Sequence, residues 1–374
     1  MSISSGASAV YWIVTVHRVA KINRRFGFIR RRFMIRFLFS ILCFSILTIS
    51  QAEARDRIRI VGSQEVMPFM ETVAQTFSVK STKKAPVLET TGSGNGFRLF
   101  CGGIGFDHPD IIVTSRPVTD AEFALCKKNG VGAITEIMIG RDAIVVANPR
   151  KAGQVDFTSP QLFSALATFT EKSGDISKNT VSRWKEIDPS LPDIPVLVMG
   201  PPAASGMYDD FMRLIMERGC SQFQKIIALD LADRHEICHS IRNDGAFTQG
   251  LRNENALLQW FKDNPTAFAI TRYSFLMQNQ DFITGNKIDG VLPTEANISD
   301  GSYPLSRPGY VYVKTNHVAA IEGLQDFLYE LTSDHTIGPD GYLMFAAQTG
   351  FVPLNEKGRN HARDKAISLA PLNR

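Results

Sequence analysis

Apolar residues in this chain fall into short alternating or continuous runs. Each run leads into a small-residue turn and then into apolar positions spaced three or four apart. Ile58-Arg59-Ile60-Val61 alternates and predicts a strand. Beyond Gly62-Ser63-Gln64-Glu65, the positions Val66, Met70, Val73, Ala74 and Phe77 follow helical spacing, and Pro68 suits the first turn of that helix. Pro86–Thr90 predicts a second strand, which enters Thr91-Gly92-Ser93-Gly94-Asn95-Gly96 and a helix reaching about Cys101. Asp110–Thr114 predicts a third strand, ending in Ser115-Arg116-Pro117. Asp142–Pro149 reads as a buried strand, after which the pattern restarts. Phe157–Trp184 reads as helical in pieces, with a polar break over Ser173–Thr180. Pro195–Met199 predicts a strand that leads through Gly200–Gly206 into a helix at Tyr208–Met216. Ala267–Thr271 returns the chain to the first unit. A strand at Tyr310–Lys314, a helix at His317–Leu331 and a loose polar end from Asn355 complete the series.

Strands alternating with helices predict an α/β sheet. In such sheets ligands sit beyond the carboxyl ends of the strands. Four turns lie at such ends, and all have the chemistry of an oxyanion cradle. Glycine lets the backbone approach a ligand, Ser or Asn before a helix is a natural N-cap, and the first N–H groups of a helix lack intrahelical acceptors. The candidate ligand-binding residues are therefore Gln64, Glu65 and Val66; Ser93, Gly94 and Asn95; Ser115 and Arg116; and Ser205 and Gly206. Arg116 adds a fork donor for an anion, or else forms a surface ion pair. Ser205 reads as the N-cap of its helix, with Asp209 and Asp210 in the first turn.

Composition changes this picture at the N-terminus. Arg30-Arg31-Arg32 and Arg36 precede the apolar run Phe37–Ile49, which ends in Ala52-Glu53-Ala54. A basic region, an apolar stretch and a small-x-small site describe a secretory signal over residues 1–54, with Met34 as an alternative start. Setting that segment aside leaves 33 Lys/Arg and 36 Asp/Glu, so the excess of basic residues belongs to the leader. The remainder carries no basic stripe, and no nucleic-acid partner is expected. Cys101, Cys126, Cys220 and Cys238 remain, an even number in an exported chain. Of the three possible connectivities, Cys101–Cys126 and Cys220–Cys238 close the short local loops and are expected. No metal site and no cofactor are expected, since the cysteine spacing is not that of a zinc site. A nucleophile elbow is missing from the sequence, which argues against a serine-type hydrolase; His235-Glu236-Ile237-Cys238-His239 does have the H-E-x-x-H spacing.

A set of ordered segments then carries a resemblance. They include Gly62-Ser63 with Pro68, Gly92–Phe97 with Phe100-Cys101, Asp110 through Ser115-Arg116-Pro117, and Gly200-Pro201-Pro202 with Ser205-Gly206. Asn253-Glu254-Asn255, Gly301–Pro308 and Gly338–Leu343 follow. From Ile58 to Leu354 the chain resembles the substrate-binding proteins of phosphate ABC transporters, a type II periplasmic binding protein group. The resemblance implies an α/β fold of two lobes, each a mixed sheet flanked by helices, with two hinge crossings. Residues 55–145 plus 270–374 would form the first lobe and 146–269 the second. It implies a periplasmic monomer that binds inorganic phosphate or a similar oxyanion and delivers it to an ABC permease. The alternative is a protein of the same fold that binds or senses another anion or a small molecule. Three segments depart from the family pattern. Gly62-Ser63-Gln64-Glu65 stands for the usual Gly-Ser-Ser-Thr, Ser205-Gly206-Met207 for Ser-Gly-Thr, and Leu251–Asn255 for Gly-Glu-Asn-Asp-Asn. Glu65 either accepts a proton from the ligand or points to solvent, and Met207, which the resemblance adds to the ligand-binding residues, offers no hydroxyl.

Overall fold

The computed structural model describes residues 55–172, 174–203, 205–250, 255–341 and 351–373. The leader expected over residues 1–54 and most of the Leu251–Asn255 segment lie outside them. Among the described residues no helix is long and apolar enough to cross a membrane.

Nine strands share one sheet. They are β1 (Arg59–Gly62), β2 (Val87–Thr90), β3 (Ile111–Thr114), β4 (Ile134–Pro149), β5 (Val198–Gly200), β6 (Phe247–Gln249), β7 (Phe268–Arg272), β8 (Ile283–Gly285) and β9 (Ser306–Lys314). Their order is β2-β1-β3-β9-β4-β7-β5-β6, with β8 paired to the end of β4. The strands β1, β2 and β3 are parallel, as are β7, β5 and β6. Between these groups, β9 and β4 run antiparallel to their neighbours. β4 is the element that joins the two groups. It pairs with β9 over Ile134–Ala143, then with β7 over Ile144–Ala147. At about 3.3 Å per residue its 16 residues reach on the order of 50 Å, enough to run through both halves.

Helices cover the sheet by the pattern the sequence announces. In α1 (Met67–Ser81), Met70, Val73, Ala74 and Phe77 are buried against β1 and β3 and against the helix Leu324–Leu331. The faces of α2 (Ser93–Phe100) and α3 (Asp120–Lys128) meet in a smaller core around Phe97, Phe100 and Tyr312, pinned by the Cys101–Cys126 disulfide. The second half packs α4 (Ser159–Leu166), α5 (Gly206–Phe211) and the π-helical continuation Met212–Glu217 on β5 and β7. Cys220–Cys238 joins the end of that helical run to α6 (Leu231–His239). Both disulfides are the expected local pairs.

Four stretches differ from expectation. Within Phe157–Trp184 only α4 is an α-helix, started by a Thr158/Gln161 capping box. Phe169–Lys172 and Asp175–Lys178 pair as an antiparallel hairpin, with Gly174 at φ +87° in its turn, so the polar break holds the second strand of a hairpin. His317–Leu331 is interrupted at Gly323, φ +80°. The polar end from Asn355 forms α7 (Glu356–Ser368), capped by the Asn355 side chain accepting from Gly358 N. Its buried positions are Ala362 and Ala366, residues too small to mark a helix face in a hydropathy pattern. Finally, Tyr273, Phe275, Leu276, Ile283, Ile288, Ile298, Tyr303 and Leu305 pack in the core of the second half, although residues from 270 onward were expected with the first.

Candidate functional site

Three parallel strands end side by side. Gly62 of β1 is in register with Thr90 of β2 and Val113 of β3, so Ser63, Thr91 and Ser115 all emerge at one edge. Gly62 has to be glycine: its φ is +140°, and an added Cβ would lie 1.9 Å from Val113 O. Its carbonyl accepts from both Thr91 N (3.0 Å) and Gly92 N (2.9 Å), which folds the next turn back over β1. Gly92, at φ +74°, occupies the N-cap position of α2, with no side-chain cap. The expected capping by Ser93 or Asn95 does not occur, because Ser93 is already the first helical residue. The N–H groups of Ser93, Gly94 and Asn95 therefore have no acceptor within the helix.

The second half contributes the turn after β5. Ser205 caps α5 as expected, accepting from Tyr208 N at 3.2 Å while its hydroxyl donates to Pro202 O at 2.6 Å. Together these turns enclose a cavity of about 800 Å³. Of the expected ligand-binding residues, Gln64, Glu65, Ser93, Gly94, Ser115, Arg116 and Gly206 line it. Four do not. Val66 is fully buried in the core of the first half. Asn95 is exposed and accepts from Arg98 Nη2 at 2.9 Å. Ser205 is absent from the lining and its hydroxyl serves the helix. Met207 is 7% exposed, packs in the second core and lines a separate cavity of about 290 Å³ beside Trp260 and Pro202.

Glu65 does not point to solvent. It is 8% exposed, and its Oε2 accepts from Ser63 Oγ at 2.6 Å. Its other oxygen lies against Gly206 across the cleft, where an added Cβ would sit 1.6 Å from Oε1. One carboxylate thus touches both halves. We expect Gly206→Ala to cost about 1–3 kcal/mol by overpacking this contact. Glu65→Ala in the same background should recover most of that loss, and a double-mutant cycle in denaturant would read the coupling.

Arg116 lines the cavity but is largely engaged. Its Nη1 and Nη2 donate to the two Glu122 carboxylate oxygens at 2.8 and 2.7 Å, and Nη1 also donates to Pro117 O. Glu122 closes the capping box of α3 with Thr119, and the guanidinium lies 5.7 Å from the Phe97 ring centroid. The pair with Glu122 raises the Arg116 pKa.

The sequence reading missed a row on the helical run after Ser205: Tyr208, Asp209, Asp210, Arg213 and Glu217 also line the cavity. The four-residue spacing of Asp209, Arg213 and Glu217 is the signal that could have found that row. Asp210 is buried and paired with Arg213 Nη2 at 3.0 Å and with Arg307, which also donates to Asp142 Oδ2 at 2.6 Å. The Arg307 Nη1–Asp210 Oδ2 contact is ionic and falls outside hydrogen-bond geometry. Glu217 Oε1 meets His239 Nε2 at 2.7 Å. Burial, and then the charge of Glu65, raise the Asp209 pKa. Burial lowers the Arg213 pKa; Glu217 opposes this and the facing Arg116 adds to it.

The family profile for the PBP superfamily domain matches residues 49–335. The chain belongs to the PBP superfamily. Among its relatives in that superfamily, the Protein SphX of Synechocystis is 28% identical over 329 residues, covering 86% of this chain and 85% of the relative. The phosphate-binding protein PstS of Staphylococcus saprophyticus is 25% identical over 311 residues, 81% of this chain and 82% of its own length. A possible phosphate binding protein from Planctomyces limnophilus superposes with a TM-score of 0.62 at 24% identity, covering 84% of this chain and 98% of that one. An ABC-type phosphate transport receptor from Vibrio cholerae gives 0.55 at 17% identity, covering 79% and 99%. The fold is accordingly the two-lobed α/β arrangement of the type II PBP group.

Proposed function

We propose that this protein is the phosphate-binding receptor of an ABC importer. The observation that carries the reading is the convergence on one cleft of the turns after β1, β2 and β3 and the turn after β5, in a PBP-superfamily chain whose relatives include proteins named for phosphate binding. The wall we assign to the ligand comprises Gln64, Glu65, Ser93, Gly94, Ser115, Arg116 and Gly206. The N–H groups of Ser93 and Gly94 offer a dipolar seat for an anion. Glu65 supplies an acceptor. A carboxylate accepts from a protonated phosphate oxygen but repels sulfate, which has no proton to give. We assign residues 1–54 to export, the ligand-loaded form to delivery at a membrane permease, and the protein to the periplasm as a monomer. The core packing supports a lobe division of 55–143 with 306–373 against 144–305, crossing in β4 and at the start of β9.

The alternative, another anion or a sensory role, was motivated by Glu65 and Met207. With Met207 turned into the core, half of that motivation is gone. A binding role has better support than hydrolysis, since the relatives bear binding-protein names. Thermal denaturation with an oxyanion panel tests the proposal. Phosphate at 100 times its Kd adds about 2.7 kcal/mol of stability and raises Tm, while sulfate leaves it unchanged. An equal rise with sulfate would overturn the role given to Glu65, and a rise only with a different ligand would overturn phosphate.

A further inference from the structure

An oxyanion closed into this cleft needs donors from both halves, and in the second half the expected ones are already engaged. The Ser205 hydroxyl donates to Pro202 O and accepts from Tyr208 N. Met207 lies in the core, and Glu65 covers Gly206. In the first half, Arg116 has its fork on Glu122. Arg213 differs from all of these. Its side chain is 38% exposed, lines the same cavity, and gives one Nη2 hydrogen bond to Asp210 at 3.0 Å. A guanidinium carries five N–H donors in a fixed fork. Asp210 has Arg307 as its second cation, so Arg213 can turn to a ligand without leaving that buried carboxylate alone.

We propose that Arg213 is the anion-binding residue of the second half, gripping an ionised phosphate oxygen opposite the Ser93 and Gly94 N–H groups and replacing the Ser205–Met207 turn in that role. The assignment rests on the phosphate reading above. It explains how the chain tolerates Glu65 in the cleft. The protonated ligand oxygen meets Glu65, and the donor lost from the second turn at Met207 is supplied six residues further along the same helical run. It also gives closure a reason to wait for ligand. Arg116 and Arg213 line one cavity from its two halves, and their mutual repulsion contributes to the lowered Arg213 pKa. An anion between the two guanidiniums removes that repulsion.

Titration calorimetry of inorganic phosphate into the full chain and its variants tests this. Arg213→Ala should weaken binding about 10- to 100-fold, the scale of a lost charged hydrogen bond. Arg213→Lys should recover part of the loss as a point charge without the fork. Arg183→Ala, which removes an exposed arginine paired with Asp193, should bind as wild type does. The ligand-free Tm of Arg213→Ala should stay close to wild type, which a merely structural role would not allow. Should Arg213→Ala not fold, Arg213→Gln keeps the stem and carries the same expectation. Binding within twofold of wild type by a folded Arg213→Ala or Arg213→Gln overturns this assignment alone. No phosphate binding by the wild type overturns the phosphate reading and this assignment with it.

Discussion

Arg307→Ala should destabilise the protein by about 3–5 kcal/mol, the cost of removing one partner from a buried ion cluster. Arg307 and its partners Asp142 and Asp210 have side chains no more than 5% exposed. Asp142 sits on β4 and Arg307 on β9, at the point where the sheet passes from one half to the other. Asp210 comes from α5 of the second half. Without the guanidinium, Asp142 keeps only the N–H of Ala143 among its described partners, while Asp210 keeps Arg213. A charged carboxylate with so little compensation in the interior must be neutralised or hydrated at the expense of packing. Urea denaturation measures the loss, read as a lower midpoint at unchanged slope. A loss under 1 kcal/mol would show that the cluster is hydrated and contributes little. Phosphate affinity should fall as well, because Arg213 would be drawn fully to Asp210.

Reduction of both disulfides should cost still more in total. Cys101–Cys126 and Cys220–Cys238 span 25 and 18 residues. On the chain-entropy model each such loop contributes about 3 kcal/mol. The first bridge ties the helix that opens the cleft to α3, and the second ties the helical run bearing Arg213 to α6. Cys101→Ser with Cys126→Ser, and Cys220→Ser with Cys238→Ser, should therefore lower stability separately and near-additively, as distant sites do. Mass mapping of non-reduced peptides checks the pairing itself. Free thiols on all four residues would reject oxidised folding.

The sequence made the first half of the cleft legible because its determinants are local. Gly62 and Gly96 mark close approaches and Gly92 a positive-φ turn, and strand–turn–helix order assigns those turns to one sheet edge. Three features escaped for physical reasons. The commitment of Arg116 depends on Glu122, whose capping-box spacing from Thr119 was visible but was not weighed against the arginine six residues earlier. The inward row Asp209–Arg213–Glu217 keeps a four-residue spacing, but charged residues so spaced read equally as a solvated helix face. Met207 entered the candidate set by its position in a family motif, whereas its side-chain type alone pointed to the core. The return of the chain was placed at residue 270 because β7 is a strong apolar strand. Packing of Tyr273–Leu305 on the second core could not be read from strand periodicity.

The central claim is that a cleft walled by Ser93, Gly94, Ser115, Glu65 and Arg213 takes protonated phosphate. Isothermal titration of the oxidised chain, with phosphate and then sulfate, tests it most directly. The expected result is saturable one-site heat with phosphate at micromolar to millimolar concentrations, and none with sulfate. The absence of heat with phosphate across that range, or an equal affinity for sulfate, would contradict it.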